Sequence, residues 1–110
     1  MTRCTNIPLI DFAAEFLAAH GIESHRVTSA CGQKQNLYAL VGPAVEGGVV
    51  LSGHTDVVPV DGQDWSTDPF TLTRKGSRLY GRGACDMKGF DGLALLAMAK
   101  ARDAGLKVPL

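Results

Sequence analysis

A short apolar run that ends in polar residues places the strongest constraint on the fold. Residues 49–51 (VVL) are continuously apolar and lead directly into the polar segment 52–56 (SGHTD). A continuous apolar strand is typical of a parallel sheet covered by helices, because both of its faces are then buried. Ligands of open α/β sheets bind at the carboxyl ends of such strands. The pattern therefore predicts a buried central strand with a ligand crevice at its end.

The rest of the chain alternates between helical and extended patterns. A helix is predicted after the capping residue Asn6, with Pro8 in its first turn, and it ends at Gly21, which can adopt the left-handed conformation. Further elements are predicted as strands over 22–28, 36–41, 71–73 and 78–80, a helix over 88–104, and the beginning of a strand at 107–110. We therefore expect an α/β fold with a central, mostly parallel sheet flanked by helices.

The composition excludes several classes of protein. The 110 residues are 45% hydrophobic and 20% charged, which is typical of a folded globular domain and not of a disordered chain. Eleven basic residues balance eleven acidic residues, so the formal net charge is zero. Nucleic-acid arms and membrane-surface patches need clustered Lys and Arg. We therefore expect neither nucleic acid nor a membrane as a partner.

The remaining sequence signals predict a cytoplasmic protein. Asp11 and Glu15 interrupt the first apolar stretch, so it does not have the core of a signal peptide. The three cysteines, Cys4, Cys31 and Cys85, form no C-x-x-C pair. Neither a disulfide framework nor a structural zinc knuckle is expected from that spacing.

The motif G-H-T-D-V-V-P at residues 53–59 contains the first candidate for a metal site. His54 and Asp56 are two residues apart at the end of the predicted strand, so their side chains project to the same side. A neutral imidazole binds zinc or cobalt well, and Asp56 is placed to orient its other ring nitrogen. A hydrogen-bonded His–Asp pair without a metal explains the same spacing equally well.

The motif G-R-G-A-C-D-M-K-G at residues 81–89 contains the second candidate. Asp86 lies in a turn immediately before the predicted helix, where a carboxylate is favoured and where its two oxygens could bridge two divalent ions. Taken alone, Asp86 is more simply interpreted as the N-cap of that helix. Arg82 either binds a substrate carboxylate or braces the loop, and Cys85 is expected to be a small buried apolar residue.

The two motifs together resemble the M20 family of co-catalytic metallohydrolases. Within that family, V-D-G-Q-D-W-S-T-D-P-F and G-R-G-A-C-D-M-K-G-F are most similar to the acetylornithine deacetylase subfamily. Succinyl-diaminopimelate desuccinylases and dipeptidases share the shorter motifs. The resemblance extends over residues 8–109 and is most specific over residues 51–90.

The resemblance implies a role for each matching residue. His54 matches the metal-binding histidine, Asp86 matches the bridging carboxylate, and Asp56 matches the active-site acid that orients the histidine. Two zinc or cobalt ions per active site are expected, and the Asp86–Met87 peptide bond is expected to be cis. The implied reaction is hydrolysis of an amide bond in a small N-acyl amino acid, which for this subfamily yields acetate and ornithine.

Other residues that the family requires have no counterpart in these 110 residues. The first is a pair of glutamates, of which one is the general base and the other binds metal. A further acidic ligand and a histidine near the C-terminus of the family's members are also missing. So is the lid domain through which members usually form homodimers. We therefore expect residues 1–110 to be an incomplete N-terminal part of a catalytic domain, inactive by itself. An alternative is a non-catalytic binding module that folds alone.

Overall fold

The computed structural model describes residues 5–110. Within these residues the elements are, in chain order, α1 (Ile7–Ala19), β1 (Ser24–Thr28), β2 (Gln35–Ala39), β3 (Thr73–Lys75), β4 (Arg78–Tyr80) and α2 (Gly89–Ala101). The chain divides into two compact units. The first unit comprises the described residues 5–52 and 93–110, and the second unit comprises Gly53–Gly92. The prediction made for Cys4 lies outside the described residues.

The first helix has the predicted end signals, but one of them works differently. Pro8 lies in the first turn of α1, and Gly21 follows the helix with a φ of 67°, the left-handed conformation expected of it. The Asn6 side chain does not cap the helix. Its amide instead donates to the Gln35 carbonyl at 2.8 Å and accepts from the Gln35 N–H at 2.9 Å. Asn6 therefore ties the start of α1 to β2.

The apolar core lies in the first unit. Strands β1 and β2 form an antiparallel hairpin in which Ser24 is opposite Ala39. Leu17, Ile22 and Val41 are buried together. The side chains that pack against this cluster come from β2, from α2 and from the segment after it: Leu37, Ala39, Leu95, Met98, Ala101 and Leu106. Complete burial of an aliphatic side chain contributes about 1.5–3 kcal/mol, so this cluster is the main source of stability in the first unit.

The prediction of a central parallel sheet is wrong for the described residues. Within residues 5–110 both sheets are two-stranded and antiparallel. Residues 49–51 form no strand, and the side chain of Val50 is 87% exposed. A strand must bond its backbone to neighbouring strands, and an apolar run does not specify whether such neighbours are present.

The predicted strand at residues 107–110 is also absent as a regular element. Val41 and Leu110 nevertheless exchange both backbone hydrogen bonds, at 2.8 and 2.9 Å, as opposed residues of an antiparallel pair do. The Val49 N–H bonds to the Pro109 carbonyl at 3.1 Å. The segment thus makes extended contacts within the first unit without continuing into a sheet.

The second unit consists of loops, one short hairpin and the turn that leads into α2. Strands β3 and β4 pair with Thr73 opposite Tyr80, and Gly76 has a φ of 61° in the turn between them. Strand β4 has the predicted bounds, whereas β3 begins two residues later than expected.

No helix within residues 5–110 combines the length and the apolar character that crossing a membrane requires.

Candidate metal centre

The side chain of His54 lies between two carboxylates of the second unit. Its Nε2 is 3.1 Å from Oδ1 of Asp86. Its Nδ1 is 3.2 Å from the backbone carbonyl oxygen of Asp56 and 3.4 Å from the carboxylate Oδ1 of the same residue. Asp56 and Asp86, the two carboxylate residues expected from the sequence, therefore both lie against the imidazole of His54. The nearer acceptor for Nδ1 is the carbonyl of Asp56 and not its carboxylate.

The turn Ala84–Lys88 directs Asp86 towards His54. Asp86 has φ −123° and ψ 94°, which interrupts the helical geometry of this turn. The Asp86–Met87 peptide bond is cis, as the family resemblance implies. Helix α2 begins only at Gly89, three residues later, so Asp86 is not its N-cap. The simpler interpretation of Asp86 from the sequence therefore does not describe this turn.

The surroundings of His54 favour its protonated form. Partial desolvation opposes the charge, but the hydrogen bond to the Asp56 carbonyl and the negative charges of Asp56 and Asp86 outweigh it and raise the pKa of His54. When the Nδ1 proton is directed to Asp56, Nε2 of a neutral imidazole faces a carboxylate oxygen. Two acceptors 3.1 Å apart are stable when a proton or a metal cation binds to both.

The donor atoms fit a zinc ion in type and in spacing. Zinc is coordinated by imidazole nitrogen and carboxylate oxygen atoms. Two such donor atoms, each about 2.0–2.1 Å from one ion, lie about 3.1–3.4 Å from each other at near-tetrahedral angles. The Nε2–Oδ1 separation of 3.1 Å falls in that range, and the side chains of His54 and Asp86 remain 46% and 72% exposed. Within residues 5–110 no group of three or more His, Cys, Asp or Glu side chains could hold an ion. These residues therefore provide part of a ligand set.

A further carboxylate, Asp91, was not among the residues expected from the sequence; it lies in the first turn of α2, beside Gly53. A Cβ atom on Gly53 would overlap Oδ1 of Asp91, and Oδ2 is buried without a hydrogen-bond partner. Desolvation raises the pKa of Asp91, although the charges of His54 and Lys88 oppose that effect. The sequence signal that could have pointed to Asp91 is its position five residues after Asp86, at the start of a predicted helix.

Arg82 has the contacts of a loop brace. Its guanidinium lies 5.2 Å from the centre of the Trp65 ring and donates to Oε1 of Gln63, which also accepts from the Trp65 indole at 3.1 Å. Its backbone N–H donates to the Pro69 carbonyl at 2.7 Å. Of the two roles considered from the sequence, these contacts favour the structural one.

A cleft of about 400 Å³ lies beside this brace in the second unit. Its apolar wall includes Val57, Phe70 and Leu72, and Arg82 and Lys88 contribute its charged side chains.

Cys85 is a free, exposed thiol, so the expectation that it is buried is wrong.

Comparison with known proteins places the chain in a family. A sequence model of "Peptidase family M20/M25/M40" matches residues 50–110, the segment that contains both His54 and Asp86. The chain is 43% identical over 111 residues to an acetylornithine deacetylase of Proteus mirabilis, covering 99% of this chain and 28% of that protein. It is 44% identical over 110 residues to one of Myxococcus xanthus, covering 96% and 28%. A third, from Klebsiella pneumoniae, is 48% identical over 77 residues, covering 70% and 20%.

The chain thus spans about 28% of the length of the first two relatives. The family model covers more than half of the chain, and the relatives agree with the subfamily that the two motifs resemble. On this evidence the chain belongs to peptidase family M20/M25/M40.

Proposed function

We propose that this chain supplies the His54–Asp86 part of a metal centre that hydrolyses an amide bond. In the full-length protein the reaction would be deacetylation of N2-acetyl-L-ornithine to L-ornithine and acetate, a step of arginine biosynthesis. The observation that carries the proposal is the 3.1 Å approach of His54 Nε2 to Asp86 Oδ1. The acetylornithine deacetylases among the relatives support the choice of substrate.

In this proposal His54 and Asp86 bind zinc or cobalt. The Asp56 carbonyl accepts the Nδ1 proton of His54, which selects the tautomer whose Nε2 lone pair is directed to the ion. Asp86 offers one oxygen on the His54 side and has a second oxygen with which to bridge to another ion. When bound, the two ions would polarise the acyl carbonyl and lower the pKa of a bound water molecule.

The Asp56 carboxylate has the role of an orienting active-site acid. Its Oδ1 lies 3.4 Å from Nδ1 of His54, close enough for its charge to strengthen the imidazole as a ligand. The exposure of all three side chains leaves room for a substrate and for further ligands. In the full-length protein those ligands and the general base would lie outside residues 1–110. The same holds for the lid domain of a cytoplasmic homodimer.

The experiment compares the full-length protein with its Asp86→Ala variant for metal content and for acetylornithine hydrolysis. We expect the variant to lose metal and to lose activity by more than about 100-fold, because even residues that only support a metal ligand are worth 10–100-fold. Asp64→Ala is the matched control, since Asp64 is an exposed loop carboxylate of the same unit. Unchanged metal content and activity in Asp86→Ala would remove Asp86 from the site.

Substrate choice is tested in the same assay. Acetylornithine, succinyl-diaminopimelate and a dipeptide are supplied separately to the wild-type protein. Preference for acetylornithine is the expected result. Preference for either of the others would keep the metal chemistry and replace the substrate.

A further inference from the structure

One lysine connects the two segments that contain the candidate metal ligands. The Lys88 ammonium group donates a hydrogen bond of 2.7 Å to the carbonyl oxygen of Thr55. Thr55 stands between His54 and Asp56 in the chain, and Lys88 follows Asp86 by two residues. A single side chain therefore joins the histidine segment to the turn that presents the carboxylate.

The backbone of Lys88 is held at the same place. Its N–H donates to the Gly83 carbonyl at 2.8 Å, which closes the turn around Asp86. Lys88 is thus fixed both through its main chain, within the Asp86 turn, and through its side chain, on the segment next to His54.

Gly83 makes room for the path of the lysine side chain. This glycine is buried and has a φ of 83°. A Cβ atom at this position would lie 3.4 Å from Nζ and 3.5 Å from Cδ of Lys88, and only 2.8 Å from Cγ1 of Val57. The lysine stem therefore packs closely against a glycine of the same motif.

The partner of the ammonium group distinguishes this contact from an ordinary surface ion pair. Among the residues that the structure describes, the one hydrogen bond of Lys88 Nζ goes to a backbone carbonyl. A charged donor on a main-chain oxygen restrains the backbone itself, whereas an ion pair restrains only two flexible side chains. The position of the main chain at residues 54–56 determines where the imidazole of His54 lies.

We propose that Lys88 is a positioning residue that keeps His54 and Asp86 at the spacing needed to bind one metal ion. The inference rests on the proposed metal centre. Loss of the ammonium group would remove the link between Lys88 and the Thr55 carbonyl and widen the distribution of His54–Asp86 distances. Metal affinity and kcat would fall together, whereas KM for the metal-saturated protein would change little.

The test uses the full-length protein with Co²⁺ as the probe. Lys88→Met removes the donor at nearly constant length, Lys88→Arg keeps a charged donor, and Lys75→Met is the control because Lys75 is an exposed lysine of the same unit. We measure the Co²⁺ dissociation constant, the Co²⁺ absorption spectrum, kcat and KM, together with amide hydrogen exchange of residues 53–58 in the metal-free protein.

We expect Lys88→Met to bind Co²⁺ about 10–100-fold more weakly, with an altered spectrum and faster exchange at residues 53–58. Lys88→Arg should recover part of the affinity, and Lys75→Met should match the wild type. Wild-type Co²⁺ affinity, spectrum and exchange in Lys88→Met would overturn the inference. If that variant does not fold, Lys88→Leu, which also lacks a donor, replaces it with the same expectations.

The outcomes separate this inference from the proposed function. Weaker Co²⁺ binding by Lys88→Met in a protein that does not cleave acetylornithine would support the positioning role and overturn the substrate. Normal cleavage by the wild type with unaltered Lys88→Met would overturn the positioning role alone. A wild-type protein that does not bind Co²⁺ would overturn both.

Discussion

The two units of this chain are stabilised in different ways. Among residues 5–110, the buried apolar side chains are those of Ile10, Leu17, Ile22 and Val41, and all of them belong to the first unit. Within residues 53–92, all of which the structure describes, no apolar side chain is buried, and Phe70 is 71% exposed. The second unit relies on hydrogen bonds, two cation–π contacts and closely packed glycines. It nevertheless contains all three candidate site residues.

The difference separates the source of stability from the place of the chemistry. Segments with few buried apolar contacts open at low free-energy cost, and ligand-binding segments are commonly of this kind. Geometry in such a unit depends on individual polar contacts, of which Lys88–Thr55 and His54–Asp86 are examples.

The largest effect on stability is expected in the core of the first unit. Leu17→Ala should lower the free energy of unfolding of the chain by about 2–5 kcal/mol, because it removes a side chain that is only 2% exposed. Leu79→Ala in the second unit should change it by less than about 0.5 kcal/mol, because Leu79 is 58% exposed. Urea unfolding measures both. Equal losses would contradict the contrast between the units.

A smaller effect is expected from glycine packing in the second unit. An alanine costs about 1–2 kcal/mol in a left-handed conformation, and both Gly83 and Gly76 have positive φ. At Gly83 the new methyl group would also lie 2.8 Å from Val57, whereas at Gly76 nothing lies within 4 Å. Gly83→Ala should therefore cost about 1 kcal/mol more than Gly76→Ala in the same unfolding measurement. Equal costs would show that Gly83 is needed only for its backbone conformation.

The stack of Arg82 on Trp65 should contribute less again. A double-mutant cycle with Arg82→Met and Trp65→Leu should give a coupling free energy of about 0.5–1 kcal/mol, the usual size of a cation–π contact. The same cycle with Arg74 in place of Arg82 is the control, since the Arg74 guanidinium donates to the Gly76 carbonyl. A coupling no larger than that of the control would mean that Arg82 does not brace the loop through Trp65.

The smallest effect is expected at Asp91, and it should depend on pH. Burial raises the pKa of this carboxyl above its value of about 3.8 in the unfolded chain. Its contribution to the free energy of unfolding is therefore present below pH 3.8 and is lost as the pH rises through the pKa of the folded chain. At neutral pH Asp91→Asn should therefore stabilise the chain, by less than about 1 kcal/mol because solvent screens the charge. The gain should disappear in acid. Thermal unfolding at both pH values, with Asp64→Asn as the control, measures it.

Local signals predicted several elements correctly. The position of Pro8 and the left-handed Gly21 set the limits of α1, and strand β4 has its predicted bounds. Such signals act over a few residues, so they do not require the rest of the chain. The apolar run at residues 49–51 was misleading for the opposite reason. An apolar strand pattern specifies burial, and burial depends on neighbours that are distant in the sequence.

The family was determined by the sequence alone, because the residue types and the spacing of the two motifs are enough to show it, and the comparisons agree. Residue types also selected His54, Asp56 and Asp86 as the candidate site. Only the tertiary structure decided that the Asp56 carbonyl is the nearer acceptor for His54, and that Lys88 bonds to Thr55. These contacts depend on how turns bring distant segments together, and no local pattern of residue types specifies such distances.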